Sequence, residues 1–167
     1  MGTINQHMYQ QELLVRKNAI EAIEALTKFG LKRLNANEMF YTYAKMELKY
    51  IDELGLVNDL LEIKRFVDGV RLRFNVNVIE SQGDFRSSCV WVALGISRIR
   101  DINALTIPEK TWGELLEQKV LSMYYPKDVM DEILEWAKHE EFDFSVHLGQ
   151  PIIKFSNIFV LIKCTDM

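Results

Sequence analysis

The sequence predicts an α+β protein, with N-terminal helices and a second helical pair packed on an antiparallel sheet of about four strands, arranged as two hairpins. Three observations lead to that class. Apolar residues recur every three or four positions as far as Val67, they alternate with polar residues from Val70 to Val78, and they alternate again from Phe142 to Leu148. The length of 167 residues suits one domain with one core, and no stretch rich in Pro, Gly or Ser is long enough to divide it, so residues 1–167 are read as a single domain.

The first helix is expected over about residues 8–29, where Leu13, Leu14, Ile20, Ile23, Leu26 and Phe29 form the apolar stripe and Gly30 closes it. A second is expected over 36–54, entered through Asn35 or Asn37 and ended by Gly55. It carries Met39, Tyr43, Met46 and Tyr50 on one stripe. Such stripes ordinarily form core, but Met and Tyr also suit self-association, and these four residues are assigned to it. A third helix is expected over 58–67.

The period then changes to two. Val70, Leu72, Phe74, Val76 and Val78 alternate with Arg71, Arg73, Asn75 and Asn77, predicting a half-buried strand over 70–79. The apolar run from Cys89 to Ile96 reads as its hairpin partner, a covered strand over 87–96. Thr111 and Glu114 have capping-box spacing, so a helix is expected over 111–124, and Pro126 suits the first turn of another over 127–140. Strands over 142–148 and 152–164 form the second hairpin, the latter either continuous or broken at Ser156-Asn157.

A hydrophobic fraction of 49% excludes a disordered chain, and no apolar run approaches the roughly 20 residues that a membrane helix needs. The formal charge is −4, but it is unevenly placed: residues 1–69 carry −1, residues 70–107 carry +2 and residues 108–167 carry −5. Every basic residue of the middle part is arginine, whose planar fork of donors suits recognition better than lysine does. On aligned strands Arg71, Arg73, Asn75 and Asn77 share a face with Trp91, and Arg86 lies in the connecting loop. These six residues form the candidate partner-binding face. An acidic protein partner is the favoured ligand, and internal pairing with the acidic helix bearing Asp128, Asp131, Glu132 and Glu135 is the structural alternative. Nucleic acid is the second candidate, disfavoured by the acidic total.

No phosphate-cradling glycine loop, dinucleotide fingerprint or nucleophile elbow occurs, so no cofactor and no catalytic residue is assigned. A weak metal pattern exists in Glu135, His139, Asp143 and His147, spaced by four, although Phe142-Asp143-Phe144 already has strand alternation. Two cysteines and the lack of an N-terminal charged-then-apolar signal predict a reducing, cytoplasmic setting. The functional expectation is a small non-enzymatic protein that binds another protein, a regulator, inhibitor or assembly subunit, with homodimerisation through the helical stripe. A small enzyme or metal protein built on the Glu135–His147 region is the remaining alternative.

Overall fold

In a computed structural model, residues 2–82, 88–99, 101–105 and 119–165 are described. Three helices open the chain: α1 (Gly2–Arg33), α2 (Glu38–Glu53) and α3 (Val57–Phe74). A short strand β1 (Glu80–Gln82) and a short helix α4 (Cys89–Ala93) follow. The C-terminal part is β2 (Val120–Pro126), α5 (Met130–His139), β3 (Asp143–His147), β4 (Gln150–Lys154) and β5 (Phe159–Thr165). The α+β class holds. No helix among the described residues is long and apolar enough to cross a membrane.

The strands form one five-stranded sheet in the order β1-β2-β5-β4-β3. It is mixed rather than antiparallel, because β2 and β5 run parallel, with Leu121 opposite Val160 and Met123 opposite Ile162. Alternation along β2 and β5 turns Leu121, Met123, Tyr125, Val160 and Ile162 inward, where they are buried. Phe66 of α3 packs edge-on against Tyr125 and Phe142, and Trp136 of α5 stacks beside it, so the sheet is covered on one side by α3 and α5. The opposite side leaves Val120 and Phe159 exposed. The expected second hairpin is present as β3–β4, closed by a tight turn with positive φ at Leu148 and Gly149. The expected long strand after Pro151 is two strands, parted at Ser156-Asn157.

The first hairpin is absent, and its two strands are corrections. Residues 70–74 are the last turn of α3, where Ile63, Phe66, Val67, Val70 and Phe74 continue the helical period beneath the apparent alternation. Gly69 does not stop the helix, since a glycine inside one costs only about 1 kcal/mol relative to alanine. A Cβ there would lie 2.5 Å from the Trp136 ring, so its absence lets α5 close on α3. The helix ends at Asn75, whose φ of 56° is the left-handed geometry that terminates helices.

Residues 89–93 are helical because Ser88 caps them, its hydroxyl accepting from the Trp91 N–H at 3.3 Å. A short run that is apolar on every side fits a buried helix as well as a strand. Residues 111–118 of the expected helix lie outside the described residues, and Val120–Pro126 is strand, not helix. Gly30 does not close α1. The helix runs on to Arg33, and the left-handed residue is Asn35.

Candidate protein interface

Two carboxylates sit on buried helix faces, and both are held by backbone amides. Glu47 shares the inner stripe of α2 with Phe40, Ala44 and Ile51. It accepts the Ser88 hydroxyl and the N–H groups of Cys89 at 3.0 Å and Val90 at 3.2 Å, closing the start of α4. Burial raises the Glu47 carboxyl above its ordinary value of 4.5, and these hydrogen bonds oppose the rise. Asp59, on the inner stripe of α3, accepts from the N–H groups of Asn157 at 2.6 Å and Ile158 at 2.9 Å, pinning the β4–β5 turn to the helical layer. Each acid stands where apolar periodicity predicts core, and that mismatch is the signal by which the sequence could have revealed them.

Glu47, Ser88 and Cys89 together resemble a nucleophile site in composition, but not in setting. All three are closed to solvent. The Cys89 thiol is pushed far up by burial and then by the charge of Glu47, which makes it a poor nucleophile. Cys164 is exposed and free. A thiol reagent applied to the native protein is expected to label Cys164 and spare Cys89 until denaturant is added. Equal labelling rates, read by mass spectrometry, would show that the α4 region opens.

The six residues assigned to a partner-binding face do not share one. Arg71 and Arg73 project from the last turn of α3, Asn75 is its C-cap, and Asn77 lies exposed beyond it. Trp91 is 0% exposed, inside the core on α4, and Arg86 is outside the described residues. The face fails because residues 70–74 wind as helix, turning every second residue away from its neighbour. Arg71 approaches Asp68 at 3.6 Å. Arg73 lines a shallow hollow of about 600 Å³ with Asp131, Glu132 and Glu135 of α5, so an arginine does face the chain's own acidic helix.

Glu135 and His139 line that same hollow. The metal pattern is nevertheless broken. The helix ends at His139, Glu141 takes a left-handed φ of 65°, and Asp143 and His147 lie at the two ends of β3. Among the described residues, no three His, Cys, Asp or Glu side chains converge in a way that could hold a metal ion.

The helical stripe has the opposite outcome: it is on the surface. Met39 is 50% exposed, Met46 47% and Tyr50 36%, with Tyr43 half-buried against the Phe40 ring. These residues lie about a quarter-turn from the buried stripe of α2. On the other flank of α2, a groove of about 880 Å³ separates it from α1. Ile20 of α1 and Tyr41 and Leu48 of α2 are its accessible apolar lining, above the buried Ile23, Leu31 and Ala44, and Lys28, Lys45 and Lys49 add positive charge. Two acids also line it, Glu24 and Asp52, the latter held by Arg16 at 3.1 Å, so the lysines outnumber the acids by one. Leu13, Leu14 and Val15, toward the N-terminal half of α1, are also exposed.

Comparison with known protein families, with curated proteins and with solved structures finds no match to this chain.

Proposed function

We propose that this chain is a non-enzymatic protein-binding module, a regulator, inhibitor or assembly subunit, which seats an acidic amphipathic helix of a protein partner in the groove between α1 and α2. The observation that carries this reading is the pairing of an apolar lining with three lysines along one groove. An apolar groove of this kind accepts a helix by its i, i+3, i+4 and i+7 side chains, and the charges select its sign. The burial of Glu47, Ser88 and Cys89 supports a binding role over a catalytic one, because those groups are engaged in holding α4. Arg73, facing acids of its own chain, supports a protein partner over nucleic acid. The two free cysteines suit a reducing, cytoplasmic setting. Self-association through the stripe of α2 belongs to the same reading.

Fluorescence anisotropy with a labelled synthetic acidic amphipathic helix of about 15 residues tests the groove. Binding is expected to weaken about tenfold or more in Lys28→Glu with Lys45→Glu, and to weaken with added salt. No binding at a peptide concentration of about 1 mM, or binding indifferent to the two substitutions, overturns the reading.

A further inference from the structure

The exposed stripe of α2 has a spacing that reads the same in both directions: Met39, Tyr43, Met46 and Tyr50 are separated by steps of four, three and four. A two-fold axis across the middle of this helix therefore superposes the stripe on itself, with its chemistry exchanged. Met39 meets Tyr50 of a second copy, and Tyr43 meets Met46. Every close pair across such an axis is a thioether against an aromatic ring, a favourable contact worth roughly 0.3–1.5 kcal/mol. Charge lies close to the same register, one residue before each end of the stripe. Glu38 and Lys49, both exposed, are separated by the same interval as Met39 and Tyr50 and lie on the side of α2 away from its buried stripe, where Lys49 stands at the edge shared with the groove. The axis that pairs Met39 with Tyr50 brings Glu38 of each copy toward Lys49 of the other. A parallel pairing would instead put the two Glu38 side chains on opposite flanks of the contact, and the two Lys49 likewise, leaving the charges unpaired. A surface complementary to itself under a two-fold is what an isologous dimer requires.

We infer that α2 is the axis of a homodimer, formed by antiparallel packing of the Met39–Tyr50 stripe on the same stripe of a second copy. This deepens the reading of the helical pair as a binding surface by naming the occupant of one of its two flanks. It does not require the groove to have a partner. From Met39 to Tyr50 the stripe is about 16 Å long at a rise of ~1.5 Å per residue. That contact is smaller than a standard interface, so the dimer is expected to dissociate in the micromolar range.

Sedimentation equilibrium on the full chain tests this. The mass is expected to rise from 19.5 kDa toward twice that value with increasing concentration. Met46→Lys is expected to raise the dissociation constant about tenfold or more, and Met39→Lys to do the same, with circular dichroism confirming that both remain folded. Glu38→Lys and Lys49→Glu are each expected to weaken the dimer, and the two together to restore it. Lys28→Glu with Lys45→Glu is expected to leave the dimer intact while losing the acidic peptide, which separates failure of the dimer from failure of the groove. A 19.5 kDa species up to about 500 µM overturns the inference, as does a dimer unaffected by Met46→Lys and Met39→Lys. Absence of rescue in the charge-exchanged pair overturns the antiparallel register.

Discussion

Replacing Glu47 by alanine is expected to cost about 3–5 kcal/mol of folding stability. Three donors converge on this carboxylate: the Ser88 hydroxyl and the N–H groups of Cys89 and Val90. Removing it leaves them buried without an acceptor and opens a cavity between α2 and α4. Glu47→Gln keeps the volume and one acceptor and is expected to cost less.

The glutamine variant also isolates the pH dependence. Burial holds the folded-state pKa of Glu47 above its ordinary value of 4.5. Below 4.5 the side chain is protonated in both the folded and unfolded chains. As pH rises beyond that value the unfolded chain releases its proton first, so the wild type loses stability until the raised pKa is passed. Glutamine has no proton to release. The stability difference between wild type and Glu47→Gln is therefore expected to be largest in acid and to narrow as pH rises, measured by urea unfolding across that range. A difference that widens with pH would mean that the folded state favours the ionised carboxylate.

Gly30→Ala is expected to be comparably severe, about 3 kcal/mol or more, although alanine is the better helix former. A Cβ at position 30 would lie 1.9 Å from the carbonyl oxygen of Ala93 and 2.6 Å from its carbon. Both are backbone atoms of α4, so no side-chain rotation relieves the clash. The helix must move, and α4 is tied to α2 through Glu47. Were Gly30 only an open helical position, the same substitution would stabilise the chain by about 1 kcal/mol. The sign of the change in thermal midpoint decides between close packing and an open helix.

Neither role is legible in the sequence, where Gly30 reads as a helix stop and nothing local ties Glu47 to α4. The N-terminal helices were readable because long 3.6-residue periodicity is unambiguous. The β3–β4 hairpin and the break at Ser156-Asn157 were readable from alternation and turn residues. The stretch 70–79 misled because Arg71, Arg73 and Asn75 gave it a period of two over a helical period that continues from Ile63. Residues 89–93 misled because their helical state depends on Glu47, some forty positions away, and no local pattern records that contact. Val120–Tyr124 reads as the end of a helix over 111–124 because Val120 and Leu121 continue the spacing of Leu115 and Leu116, and the alternation of Leu121, Met123 and Tyr125 is too short to outweigh it. The candidate arginine face fell with the first hairpin, since it rested wholly on strand geometry. Met39, Tyr43, Met46 and Tyr50 do share one face of α2, because that placement needs only a helix.

Hydroxyl-radical footprinting with the acidic helical peptide tests most directly whether the helical pair α1–α2 is the binding face. Protection is expected at Tyr41 and Leu48 of α2 and at Ile20 of α1, with Phe74 and Trp136 in the acidic hollow unchanged. Protection confined to that hollow, or to Val120 and Phe159 on the open side of the sheet, would place the binding face elsewhere and contradict the reading.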